Sequence, residues 1–317
     1  MANYAATRVR APYDYTMVNF LAKQVPISTA LSPRSLLVSR SLQPSTAPLP
    51  FIGFAQHLPV TITSQFDGQM ISVGSGCEVE ASAIAALTRQ LRPIDERELD
   101  RAGRALGLTN SPRMTGADFT DGAVMQRTDL DQFQVLHFAT HGLTEGQWGC
   151  AKSPPALVTS LGGGGSDAIL SFGEIAKLRL DANLVVLSAC DTAAGVSAGE
   201  ARAAGQEEAG ATLEGLVRAF LAANARAVLS TYWPISDAGE SEALIEDFYA
   251  AARNGTIGEA LRTAQSELMV NPKSSHPFYW GAFFVVGDAQ KPLLTGGARA
   301  ALGEPAAVAR LAAGLSQ

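Results

Sequence analysis

Apolar positions along this chain fall into short blocks that alternate between an extended and a helical spacing. Residues 18–23 read as an extended piece, and Ser32–Pro33 opens a short helix, with serine as cap and proline at the first helical position. A Pro/Ser linker over 44–50 leads into a strand at 51–55, and residues 57–76 read as a polar, turn-rich surface excursion. Val79, Ala83, Ala86 and Leu87 recur at helical spacing over 78–91, whereas the charged stretch 92–113 is expected on the surface. A short strand is expected near 117–120, then a short helix and a strongly strand-like run over 133–138.

The second half is more regular. The run 162–165 is all glycine but lacks a G-K-[ST] ending, so it reads as a connector and not a phosphate loop. Ser171 and Glu174 form a capping box, and residues 183–188 are apolar without alternation, as in a parallel strand covered on both faces. A small-residue, acidic loop over 192–211 precedes a helix carrying Leu213, Leu216, Val217, Phe220 and Leu221 on one side. A strand at 227–231 follows, then helices presenting Ile245, Phe248, Tyr249 and Ala252, and Ile257, Ala260, Leu261, Ala264 and Leu268, the latter capped by Thr256 and Glu259. A last strand occupies 281–286, and the residues after Leu293 read as a tail of marginal helical content. Such alternation predicts an α/β fold with a mostly parallel sheet between helices, in one domain over 18–290 with a lead-in over 1–17 and a tail over 291–317.

Composition narrows the class. Of 317 residues 47% are hydrophobic and 17% charged, below the usual quarter, which fits a sheet buried on both faces. The net charge of −6, with no basic stripe interleaved with aromatics, argues against nucleic acid as the main partner. No apolar run is long enough to span a bilayer and no signal-type segment follows Met1, so a cytoplasmic location is expected. Cys77, Cys150 and Cys190 form neither a C-x-x-C pair nor an even framework; free thiols and no metal site are expected.

Two predicted strands run out into reactive side chains. One ends in Ala139–Thr140–His141–Gly142 and the other in Ala189–Cys190–Asp191–Thr192. As parallel neighbours, they would bring His141 and Cys190 to the same carboxyl edge, where ligands of open α/β sheets bind. A thiol beside an imidazole is the arrangement that yields a nucleophilic thiolate. The N–H groups of Gly142 and Cys190 would form an oxyanion hole.

These residues also carry a family resemblance. His137–Phe138–Ala139–Thr140–His141–Gly142, Leu187–Ser188–Ala189–Cys190–Asp191–Thr192, Leu216 to Leu221, Trp233 to Asp237 and His276 to Phe283 resemble, in order and spacing, the motifs of the CHAT domain family. Its members are caspase-like, separase-related cysteine peptidases, often joined to TPR repeats. The likeness runs from about Val18 through Asp288 and is looser in the N-terminal part, where it rests on Phe51 to Phe54 and on the helix beginning at Glu78 and Glu80. It implies a caspase-like three-layer α/β/α sandwich, a His141–Cys190 dyad and no cofactor. Three departures stand out: a long loop after Cys190, with Glu214–Gly215 in the place of the family's helix start; an insertion over 57–76; and almost no chain before the domain, so that a repeat array is expected on another protein.

The resemblance further implies a protein or peptide substrate, held in extended form along Ser230, Thr231 and Trp233, with Asp191 and Asp237 as candidates for a pocket favouring a basic side chain. Asp237, with Glu240 three residues on, also reads as a helix cap. His137 is expected to be a hydrogen-bonded structural residue, His276 a loop cap, and Cys77 and Cys150 bystanders. Three other readings stay open: a catalytically silent scaffold or sensor binding a protein partner, a small-molecule thiol hydrolase, and a latent peptidase whose 192–211 loop holds the site closed until a regulatory partner binds.

Overall fold

In a computed structural model, residues 13–61, 68–72, 78–143, 146, 148, 153–163, 166–188, 209–233 and 239–302 are described. In chain order the elements are α1 (Leu21–Gln24), α2 (Pro33–Ser41), β1 (Ile52–Ala55), β2 (Met70–Ser72), β3 (Glu78–Glu80), α3 (Ala81–Gln90), α4 (Arg97–Leu106), β4 (Arg113–Thr115), α5 (Asp121–Gln126), β5 (Val135–Ala139) and β6 (Gly142–Leu143). They continue with β7 (Ala156–Val158), β8 (Ile169–Ser171), α6 (Phe172–Ile175), β9 (Leu184–Leu187), α7 (Ala209–Ala222), β10 (Ala227–Thr231), α8 (Glu240–Ala252), α9 (Ile257–Val270), α10 (Pro277–Trp280), β11 (Phe283–Gly287) and α11 (Gly296–Ala301).

The main sheet has six strands in the order β11-β10-β9-β5-β1-β4. All neighbours are parallel except β10 and β11. Successive strand residues alternate between two cores. Phe51, Ala55, Val135, Val186 and Leu229 face a layer containing α4, α8, α9 and α11. Ile52, Phe54, Leu136, Phe138, Val185 and Val228 face α5, α6 and α7. Because both faces are covered, these strands lack polar alternation. The result is a caspase-like three-layer α/β/α sandwich. Phe54 and Phe138 stack across neighbouring strands, centroids 4.5 Å apart, and Phe138 continues to Phe220 of α7 at 5.2 Å.

Several local expectations shift for identifiable reasons. Residues 21–24 turn into a one-turn helix instead of continuing the extended piece. The charged stretch 92–113 is no surface loop: Leu99, Ala102 and Leu106 line the buried side of α4, and its charges other than Glu98 occupy the remaining sides. Gly53 is required beneath it, since a Cβ there would lie 2.6 Å from Leu99 Cδ1. The strand expected near 117–120 lies at Arg113–Thr115, followed by a short 3-10 turn. Residues 78–80 form a strand ahead of α3, and Leu293, Leu294, Ala298 and Ala301 after β11 are buried against the main core.

A smaller antiparallel sheet, β6-β7-β8, and the β2/β3 hairpin with α3 enclose a satellite core containing Val60, Ile84, Leu143, Trp148 and Ile169. Residues 57–61, expected on the surface, belong partly to this layer: His57 and Val60 are buried. β6 follows His141 immediately, so the satellite layer grows from the edge at which the predicted chemistry lies.

Candidate active site

The site is built on strand register. Ala55 of β1 pairs with Ala139 of β5, and Phe138 of β5 pairs with Leu187 of β9. His57 and His141 each lie two residues past the Ala55–Ala139 pair, at the carboxyl edge of adjacent strands. Ser188 N–H donates to Phe138 O at 2.9 Å, which continues the β9 ladder one residue beyond its last strand position. β10 ends beside it with Ser230 and Thr231, both buried.

His141 is fully buried, and its Nε2 lies 2.6 Å from the main-chain oxygen of Arg92. A carbonyl only accepts, so Nε2 carries the proton and Nδ1 of the neutral ring holds the lone pair. Among the described residues Nδ1 has no hydrogen-bond partner. The chain supplies that carbonyl by ending α3 at Gln90 and placing Pro93 after Arg92, which biases Arg92 away from helix. The main chain around the histidine is fixed as well: Thr140 Oγ1 donates to Val158 O at 2.6 Å, and Val158 N–H returns to His141 O at 2.8 Å.

A second imidazole abuts the first. The rings of His57 and His141 meet edge to face, centroids 5.5 Å apart and planes at 83°. His57 is fully buried, and among the described residues neither of its nitrogens has a hydrogen bond of normal geometry. Burial, and then repulsion from His141 whenever that ring is protonated, lower its pKa from 6.5 to about 4, while the backbone of Thr88 and Leu91 opposes this. His57 is therefore neutral at physiological pH.

Of the other predicted site residues, Gly142 opens β6 and pairs with Leu157. Ser230 is buried, and its hydroxyl has no partner among the described residues. Trp233 is half-buried, its indole N–H donating to Phe278 O at 3.0 Å. Tyr232 stacks on Phe284 beside it, centroids 3.8 Å apart. Cys190, Asp191 and Asp237, the 192–208 part of the acidic loop, and Cys77 and Cys150 lie outside the described residues. His137 is a core residue: Nε2 meets Glu98 Oε1 at 3.0 Å and Nδ1 meets the Tyr249 hydroxyl at 3.1 Å. His276 caps α10, accepting from Phe278 N–H at 3.1 Å.

Sequence reasoning missed His57 and the Arg92 carbonyl. The first was legible as a histidine two residues past an apolar strand, the same offset as His141 from β5; the second was legible in the Arg92–Pro93 break. No group of three or more metal-binding side chains occurs among the described residues, and no helix there is long and apolar enough to cross a membrane.

A family model described as CHAT domain matches residues 5–288. The chain is 32% identical over 127 residues to Tetratricopeptide repeat protein 28 of Mus musculus and 30% identical over 127 residues to that of Homo sapiens. Each match covers 38% of this chain and 4% of the relative's own length.

Proposed function

Because the chain belongs to the CHAT domain family, we propose that it is a cysteine endopeptidase working through His141 and Cys190. The observation that carries this reading is the state of His141: buried, its Nε2–H held by the Arg92 carbonyl and its Nδ1, at the carboxyl edge of β5, without a hydrogen-bond partner among the described residues. The pairing of Phe138 with Leu187 makes position 190 the counterpart of position 141 by residue count along neighbouring strands. Two residues of chain separate Cys190 from Ser188, a span of at most about 7 Å.

In the proposed cycle Nδ1 takes the thiol proton and the thiolate attacks the peptide carbonyl. The N–H groups of Gly142 and Cys190 stabilise the oxyanion. His141 then gives its proton to the leaving amine, whose departure breaks the C–N bond, and next removes a proton from the water that hydrolyses the thioester, regenerating the thiol. A substrate strand lies along Ser230, Thr231 and Trp233, and Asp191 and Asp237 are offered as partners of a basic side chain. The reducing cytoplasm suits a working thiol, and residues 18–290 act as one peptidase domain.

A second reading rests on the relatives, whose name is that of a repeat protein. Such repeats form extended binding surfaces, and a catalytically silent scaffold on a repeat-bearing partner would share this fold. A peptidyl electrophile separates the two. Labelling of Cys190 that disappears in His141→Ala supports the peptidase, whereas an inert Cys190 supports the scaffold.

A further inference from the structure

The turn that leaves β1 is built in a way that folding alone does not explain. Gln56 adopts φ +57, a left-handed conformation that a side-chain-bearing residue rarely takes. The turn is pinned at several points: Gly116 N–H donates to Gln56 O at 3.0 Å, Leu58 N–H to Ser160 Oγ at 2.8 Å, and Val60 N–H to Thr88 Oγ1 at 3.1 Å. Ser160 Oγ in turn donates to Gly116 O at 2.6 Å, closing the β1 and β4 exits into one unit. Strained backbone held this firmly points to a role for what it positions.

What it positions is His57, driven with no accessible surface against the face or edge of His141. A phenylalanine would fill the same space without burying two ring nitrogens that lack well-formed hydrogen bonds. Histidine at this place therefore costs stability, and its nitrogens are what a phenylalanine cannot replace. On the neighbouring α4 and β4, Glu98 is engaged by His137, Arg101 by Glu242, and Arg113 by Asp100.

We propose that His57 is a positioning residue for His141, a neutral polar wall that holds the ring on the Arg92 carbonyl and favours the imidazolium formed when His141 accepts a proton. A buried polar ring without charge disfavours a neighbouring cation less than an apolar wall does. This inference rests on the dyad reading of His141 and Cys190.

The test compares His57→Phe, which keeps the ring, with His57→Gln, which keeps a neutral polar group. Two quantities are read: the thermal midpoint and the rate at which iodoacetamide alkylates Cys190 at pH 7, a step in which the thiolate forms a C–S bond and iodide leaves. His57→Phe is expected to melt at or above the parent's temperature yet react about tenfold more slowly, the scale of loss expected from a misplaced catalytic group. His57→Gln is expected to recover part of that rate. Parent-like reactivity in His57→Phe overturns the proposal, as does lost stability with unchanged reactivity, which marks a merely structural histidine. A Cys190→Ala background supplies a readout independent of the thiol: the His141 Nε2 proton, seen by NMR, should exchange with solvent faster once His57 is Phe, and unchanged exchange overturns the proposal. If His141→Ala leaves Cys190 alkylation unaltered while that proton still responds to His57, the peptidase reading fails and the positioning role stands.

Discussion

Replacing Tyr249 with phenylalanine isolates one hydrogen bond in the interior and tests whether His137 is structural. Tyr249 and His137 are both fully buried on the α4/α8 side of the sheet. The hydroxyl meets His137 Nδ1 at 3.1 Å, while Glu98 holds Nε2 at 3.0 Å. Burial first, and then the Glu98 carboxylate, push the Tyr249 phenol above its ordinary pKa, so the hydroxyl keeps its proton. With Nε2 bonded to the carboxylate, the Tyr249 hydroxyl is the partner of Nδ1. Tyr249→Phe keeps the ring contacts with Phe51 at 5.9 Å and Phe248 at 5.3 Å, so no cavity opens. What remains is an unpaired buried nitrogen, costing about 1–3 kcal/mol. With an unfolding entropy of about 2.1 cal/mol/K per residue, a chain of this size should melt roughly 2–5 °C lower. Urea denaturation should give the same free-energy loss at an unchanged slope. Cys190 reactivity should stay at the parent's level. A midpoint within error of the parent's would refute the buried hydrogen bond, and a change in Cys190 reactivity at constant stability would refute the structural role of His137.

Other outcomes follow from the same geometry. Unfolded His57 takes a proton below about pH 6.5 and the folded residue only near 4, so the unfolded state binds more protons between these values and stability falls on acidification. His57→Phe should flatten that part of the stability–pH curve, by up to about 3 kcal/mol. Asp167 acts with the opposite sign: burial first, then the Asp121 charge, raise its pKa from 3.8 to about 7, so stability falls as pH rises through that window. Asp167→Asn should lift stability at pH 8, by at most about 4 kcal/mol, and the difference from the parent should vanish near pH 4. Arg226, buried, binds Asp181 Oδ1 at 2.5 Å and the Gln43 carbonyl at 2.6 Å, tying α2's exit to β10. Arg226→Met leaves the Asp181 carboxylate with only its Ser45 and Thr46 donors and should cost about 1–3 kcal/mol in chemical denaturation. Gly287 sits at φ +111 with Arg226 O 2.3 Å from where a Cβ would be, so Gly287→Ala should lower the yield of folded protein, measured by soluble expression.

The fold was legible where one periodicity dominated. The runs at 183–188 and 227–231 are apolar throughout because helices cover both faces, and both are strands of the main sheet. The capping boxes at Ser171 and Thr256 start helices where their side chains close on Glu174 and Glu259. Charge misled over 92–113, since Leu99, Ala102 and Leu106 suffice to anchor α4, and charged residues fill five of its other seven positions. His57 was hidden for a related reason: a turn-rich segment reads as surface, and its burial depends on the satellite layer, whose core residues are spread from Val60 to Ile169. His141 was visible because its motif is local. The carbonyl that orients it comes from residue 92, a contact only the fold creates.

The central claim is that one thiol and one imidazole cut peptide bonds. Incubating the full chain with a diverse peptide library and reading new termini by mass spectrometry tests this most directly, with Cys190→Ala and His141→Ala run alongside at matched folded concentration. The parent should yield new termini, and neither variant should yield any. Termini that persist in Cys190→Ala, or a library left uncut by the parent, would contradict the claim.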